Sequence, residues 1–395
     1  FFEYFRPQSI YPSFDVLPWT KLFLLGAIAL GFTDKKAKIA WSWTHTWILL
    51  FTIQIHISFL FAYYPSWSEM NHINFFQWVI IYLSITMIVT TKERFYVFLL
   101  VFFLCSLKIA IGTSWIFLSR GLSFTGWGLK GPPGFFENSG ELAIQMVILF
   151  SLTIYFIVSV WKYSGRLEKV FLLIALVSPA LTVMGASSRG SQIAIFIVLL
   201  CYFHIRIFKP KILVAAFGFG LTLFALIPEE QMGRFQTIGE DRTSEQRILY
   251  WTNGLEMIRK HPLTGVGYYN FIPYYSNEYP EDVLFVNSAG QTVAELPHNI
   301  LIQVGTDAGI PAIAFYLLIM FSLKKKISRY IDPVLINIHK GLLLGVVGFF
   351  IAGQFVTVGY YPFLWISAAL ISSLANSMNS KLSHSTRNKV IEASR

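Results

Sequence analysis

The sequence predicts an all-helical integral membrane protein, and three observations carry that prediction. Of 395 residues, 55% are hydrophobic and only 13% are charged, with a mean hydropathy of +0.57. Soluble domains carry about 25% charged residues, so a mainly soluble chain is excluded. Apolar runs close to the ~20 residues that cross a bilayer recur along the whole chain. The net charge of +10 gathers in short breaks between those runs: Lys35, Lys36 and Lys38; Lys162, Arg166 and Lys169; Arg206, Lys209 and Lys211; Lys324, Lys325, Lys326 and Arg329. That placement is the positive-inside pattern rather than a nucleic-acid patch, and no nucleic-acid partner is expected. Cys105 and Cys201 both lie in apolar runs and imply no disulfide framework.

Reading apolar runs against charged breaks gives about eleven spans, near 16–32, 44–64, 73–90, 94–111, 140–161, 166–185, 190–207, 211–228, 298–322, 339–358 and 360–378. Alternation places 33–43, 91–93, 162–165, 208–210, 323–338 and the tail 379–395 in the cytoplasm, where most Lys and Arg fall. The opposite side receives the N-terminal stub, 65–72, 112–139, 186–189, 229–297 and a tight turn around Tyr360. A stub on that side implies one earlier helix, so the intact protein is expected to have twelve. The chain thus divides into N-terminal spans over 1–228, a large outer loop over 229–297, and C-terminal spans with a cytoplasmic tail over 298–395.

Two outer segments are long enough to carry chemistry. The first, 112–139, is rich in Gly and Pro and reads as an irregular lid or re-entrant loop. The second, 229–297, is the largest polar stretch. Within it TSEQRILYWTNGLEMIRKHP predicts one helix, with Thr243 as N-cap, Gln246 closing a capping box and Pro262 marking the stop. Ile248, Leu255 and Ile258 fall on one face, so this helix is expected to lie along the membrane surface. No repeat of the inverted-transporter kind is present.

The informative residues are cations on the side that the charge rule disfavours: Arg189, Arg234, Arg242, Arg247, Arg259 and Lys260. A solvated loop accounts for some of them. Arg189 sits in GASSRGSQ between two apolar spans, where a cation needs a partner: a structural salt bridge or a bound anion. Arg247 falls in the first turn of the expected loop helix, where a cation is disfavoured unless Glu245 or a phosphate offsets it. Two arginines at one membrane face, each a planar fork of donors, suit a diphosphate carried on a lipid.

His298, in PHNILIQVGTDAGIP, begins the next span. A helix N-terminus and nearby arginines both disfavour imidazolium, which suits a general base; the plainer reading is a His–Asn helix cap. Tyr250, Trp251, Tyr268, Tyr269, Phe271, Tyr274, Tyr275 and Tyr279 crowd the outer loop, either as an interfacial belt or as faces on which sugars stack. The remaining histidines and the dispersed acids show no metal-ligand spacing, so neither metal nor cofactor is expected.

SSRGS at a helix end, RILYW followed by HPLTGVGYYNF, and PHN heading a helix that continues to DAGIP resemble the bacterial O-antigen ligase and polymerase family. ENSGELA, from Glu137 to Ala143, is similar to a degenerate form of that family's Asn–Glu–Leu–Ala stretch. The resemblance covers about the second two-thirds of the chain. It departs at Asp307-Ala308-Gly309-Ile310-Pro311-Ala312, where members more often show Glu and a second Gly. That difference bears on helix packing more than on chemistry.

The resemblance implies a GT-C-like fold in the bacterial inner membrane. It implies a metal-independent glycosyltransferase facing the periplasm, moving a glycan from undecaprenyl diphosphate to an acceptor hydroxyl with inversion. Lipid A–core is the acceptor of a ligase, and a second lipid-linked glycan that of a polymerase. Carried over, Arg189 and Arg247 bind and stabilise the diphosphate, His298 is the base, and Arg242, Tyr250, Tyr268 and Tyr269 line the donor site. The alternatives are a transporter (flippase) of the same lipid-linked oligosaccharide and a non-catalytic polysaccharide-assembly partner.

Overall fold

The computed structural model describes residues 4–11, 13, 15–123, 128–204, 242–286, 290–325 and 332–393. The expected span 211–228 and residues 229–241, including Arg234, lie outside the described residues, as do Arg206, Lys209, Lys211, Lys326 and Arg329. The principal helices are α1 (Trp19–Thr33), α2 (Trp43–Leu60), α3 (Pro65–Ile88), α4 (Lys92–Ser119), α5 (Ser139–Val160), α6 (Arg166–Gly185) and α7 (Arg189–Phe203). They continue with α8 (Arg242–Lys260), α9 (Phe271–Glu278), α10 (Ile300–Ser322), α11 (Pro333–Ala352) and α12 (Pro362–Ala393). Among the described residues the only strand-like pairing is an isolated bridge between Val286 and Thr292.

Among the described residues, five helical stretches are long and apolar enough to cross a membrane: α4, α5, α6, α10 and Pro333–Phe355. Trp19–Thr33, Arg189–Phe203 and Pro362–Met378 are shorter apolar helices. The chain is a multi-pass, all-helical membrane protein. Every expected span within the described residues coincides with a helix, but several boundaries move. Residues 333–338, expected in a cytoplasmic break, open α11, and 379–393, expected as a tail, continue α12. Residues 65–72, expected as a loop, form the first turns of α3. Residues 112–119, expected in the Gly/Pro-rich outer segment, continue α4.

The core is organised around α5, in which every residue from Glu141 to Ile154 is buried. Helix α11 lies along it. A Cβ on Gly341 would stand 3.1 Å from the Leu152 Cα, and one on Gly348 would stand 2.5 Å from the Val147 side chain. Small residues at helical spacing let the two backbones approach, as van der Waals packing between membrane helices requires. At one end of the bundle, Lys92 Nζ pairs with Asp332 at 2.7 Å and Arg94 pairs with Asp34. These pairs tie together the end of α1 and the starts of α4 and α11, three breaks that alternation assigns to one side.

At the other end, the loop from His261 to Asn270 folds against an interruption in α10. Ala308 and Gly309 leave the helical conformation, and the freed carbonyls find donors: Gln54 Nε2 donates to Ala308 O at 2.8 Å and Ser58 Oγ donates to Asp307 O at 2.5 Å. Val266 N–H donates to Thr306 O and Ile310 N–H donates to Pro262 O, both at 2.8 Å. Non-helical backbone at such depth is tolerated only where protein satisfies it. Gly309, at φ 78° and ψ −177°, occupies a region essentially reserved for glycine. An added Cβ would stand 2.6 Å from Pro262 O. A Gly309→Ala variant is therefore expected to lose about 1–3 kcal/mol of stability, read as a lower thermal unfolding midpoint in detergent. An unchanged midpoint would show that the break is not a required fixture of the fold.

Candidate functional site

Helix α8 has one buried face, made by Gln246, Tyr250, Asn253, Gly254, Met257 and Ile258. These residues recur at three- and four-residue spacing, so the face packs against α9 and α10. Ile248 and Leu255 are exposed whereas Ile258 turns into the core, so the three do not form the single membrane-lying face expected of them. Thr243 is not the cap expected of it, because the helix already includes Arg242. Gln246 closes no capping box. Its Nε2 donates to Asp282 O at 2.9 Å and its Oε1 accepts the Leu284 N–H. Asn253 Nδ2 donates to Asp282 Oδ2 at 2.6 Å, and the Arg242 guanidinium donates to Leu284 O. The segment 282–286 is thereby stitched along α8 and forms a wall beside it.

The same helix holds the chain that enters α10. Glu295 N–H donates to the Tyr250 hydroxyl oxygen at 2.7 Å, and Trp251 Nε1 donates to Pro297 O at 2.8 Å. Burial pushes the Tyr250 phenol up to about 12, so this hydroxyl stays neutral and keeps its own proton to donate. Asn299, not His298, caps α10: its Oδ1 accepts from Leu301 N at 2.8 Å and Ile302 N at 3.1 Å. His298 precedes the cap in a left-handed conformation at φ 50°, with its N–H donated to Thr357 Oγ1 at 2.8 Å. The imidazole is therefore not consumed in capping. Its Nε2 lies 3.9 Å from Glu295 Oε2.

Between these parts lies a pocket of about 220 Å³, to which Arg242, Arg247, Tyr250, Glu295 and His298 contribute, with Leu284, Phe285 and Val286 as its apolar wall. Four of the residues singled out in the sequence, Arg242, Arg247, Tyr250 and His298, thus meet at one cavity. Arg247 is the sixth residue of α8 rather than a first-turn residue, which weakens the expected conflict with the helix N-terminus. Arg189 does not line the cavity. It opens α7, and the adjacent Gly190 packs against Phe355, whose ring lies 6.3 Å from that of Trp251. Phe355 thus lies between Gly190 of α7 and Trp251 of α8 as a neighbour of both.

Tyr268 and Tyr269 are placed elsewhere. Tyr268 is 1% exposed, its ring 4.9 Å from Tyr360 and 6.0 Å from Phe75, and its carbonyl accepts from Ser68 Oγ at 2.6 Å. Tyr269, at φ 61°, sets its ring edge-to-face against that of Tyr268, 5.2 Å away. Gly265 and Gly267 take positive φ in that turn, at 64° and 115°, and neither tyrosine lines the pocket. Burial raises both phenols well above their ordinary range. Glu295 went unnoticed in the sequence; its only signal was a carboxylate three residues before the histidine. Among the described residues no group of three or more His, Cys, Asp or Glu could hold a metal ion.

No curated protein matches the chain. Residues 172–317 match the family model described as O-antigen ligase, a stretch that contains Arg189, the pocket-forming helix α8, Glu295 and His298. Over that stretch the chain is similar to the O-antigen ligase family.

Proposed function

We propose that the protein transfers a glycan from undecaprenyl diphosphate to an acceptor hydroxyl at the periplasmic face of the bacterial inner membrane. The observation that carries this reading is the convergence of Arg242, Arg247 and His298 on one cavity beside a helix that exposes Ile248 and Leu255. A family member acting in O-antigen assembly needs such a combination. The lipid stays in the bilayer, the diphosphate meets cations, and the reacting hydroxyl meets a base. Diphosphate is already a good leaving group, so charge stabilisation and one proton acceptor are sufficient. In this reading Arg247 holds the diphosphate and Arg189 approaches it from the end of α7. Arg242 holds the wall of the cavity, and the Tyr250 hydroxyl donates to a sugar or phosphate oxygen. Attack from the face opposite the leaving diphosphate inverts the anomeric carbon.

The test is transfer by the purified full chain in detergent, given one lipid-diphosphate glycan and two acceptors, lipid A–core and a second lipid-linked glycan. Growth of either product, continuing in the presence of chelator, is the expected result and separates ligase from polymerase. Movement of the donor across vesicle membranes with no transfer product would overturn the reading in favour of a transporter.

A further inference from the structure

A carboxylate is out of place in a cavity that serves only to hold a diphosphate, because like charges in a partly desolvated site repel. Glu295 nevertheless lines the cavity, and its position is fixed by the structure around it. Tyr250 and Trp251, adjacent on α8, hold the backbone at Glu295 and Pro297, while Thr357 holds the His298 N–H. Those three bonds bend the chain so that the carboxylate and the imidazole face each other, Glu295 Oε2 to His298 Nε2, at 3.9 Å. The separation exceeds a hydrogen bond. Both side chains are part-exposed, at 44% and 30%, so a small rotation closes it. Contacts of this kind commonly tighten only when substrate is bound. The other charged or titratable groups facing the imidazole across the cavity, among the described residues, are Arg242, Arg247 and Tyr250 of α8.

We propose that Glu295 is the positioning residue of His298: it accepts the Nε2 proton and so leaves the lone pair on Nδ1 to act on the acceptor hydroxyl. The inference rests on the transferase reading above. In the step, the acceptor O–H bond breaks and its proton goes to Nδ1. The oxygen forms the new bond to the anomeric carbon, and the diphosphate leaves with the electron pair of the old carbon–oxygen bond. The imidazolium that results is doubly protonated and faces the carboxylate, which stabilises it as the hydroxyl proton is lost. The carboxylate is kept from the diphosphate by standing on the histidine side of the cavity.

The test uses the full chain in detergent with a lipid-diphosphate glycan and its acceptor. Glu295→Gln is expected to lower kcat ~10- to 100-fold, the scale known for carboxylates that orient metal-bound histidines, without raising the donor KM. It also moves the acidic limb of the kcat–pH profile to lower pH, because the imidazolium loses its counter-charge. Glu295→Asp, which keeps the charge but draws it back by one methylene, loses less and leaves the limb in place. A Glu295→Gln protein with wild-type kcat and an unmoved limb overturns the proposal. So does one whose donor KM alone rises, which would put the carboxylate on the substrate. If Glu295→Gln does not fold, full kcat in Glu295→Asp overturns it instead. His298→Ala separates the two levels: retained transfer there defeats the base assignment itself. An inactive His298→Ala beside a normal Glu295→Gln defeats only the positioning role.

Discussion

Replacing His298 by Ala is expected to reduce transfer ~10²- to 10⁴-fold, the range supplied by a positioned proton acceptor, while leaving expression and donor binding in place. The structure explains why chemistry can be lost without the fold. Asn299 carries the whole cap of α10 through Leu301 and Ile302, so the helix start does not need the imidazole. The Thr357 contact uses the backbone N–H of residue 298, which Ala retains. One structural cost remains, since φ 50° is unfavourable for any residue with a Cβ, and His is better tolerated there than Ala. His298→Gly removes that strain together with the side chain. If the imidazole is the base, Ala and Gly variants lose transfer equally and bind the lipid-diphosphate donor as the wild type does. If Gly restores transfer, the residue serves the turn and the base lies elsewhere.

How far the sequence disclosed this arrangement depended on whether a residue's partner was local. Helix α8 was legible because its apolar period is local, and its end at Lys260 is set by the Pro two residues on. Its beginning was not, because Gln246 makes its bonds to Asp282 and Leu284, dozens of residues later. The end of α4 was misjudged for a different reason. Gly112, Thr113 and Ser114 look like the start of a loop, yet Thr113 Oγ1 donates to Ile109 O at 2.8 Å and Ser114 Oγ donates to Ile111 O at 3.0 Å. Hydroxyls that bond back within the helix cost little in an apolar setting, so α4 runs on to Ser119.

The aromatic stretch shows the same limit within the candidate site. Nothing in GVGYYNF separates rings that face a ligand from rings that fill a core. Tertiary contacts decided it: Asn270 Nδ2 donates to Ser68 Oγ at 2.9 Å and to the Tyr268 carbonyl at 3.1 Å, drawing the turn onto α3. Conversely, the approach of His298 to Glu295 has no signal in the sequence beyond their closeness along the chain. Its geometry exists only because α8 pins the intervening backbone.

Replacing Arg247 by Ala is expected to lower kcat/KM ~10²- to 10³-fold, the effect of removing one preorganised donor from developing negative charge. Arg242 donates to the Leu284 carbonyl and so serves the cavity wall, while Arg247, five residues further along α8, lines the cavity beside Tyr250 and is assigned the diphosphate. Arg247→Lys should recover only part of the loss, because an ammonium cannot present two parallel donors to a phosphate. Arg242→Ala should instead cost less in rate and loosen the segment around Leu284, seen as faster amide exchange at Leu284. The decisive comparison adds Arg189, which opens α7 and is not among the residues lining the cavity. If both arginines grip one diphosphate, the Arg189→Ala/Arg247→Ala double variant loses less than the product of the single losses, since removing either already spoils the shared grip. Independent, multiplicative losses would mean that Arg189 acts on another part of the reaction. Full transfer by Arg189→Ala alone would confine the anion site to the α8 cavity.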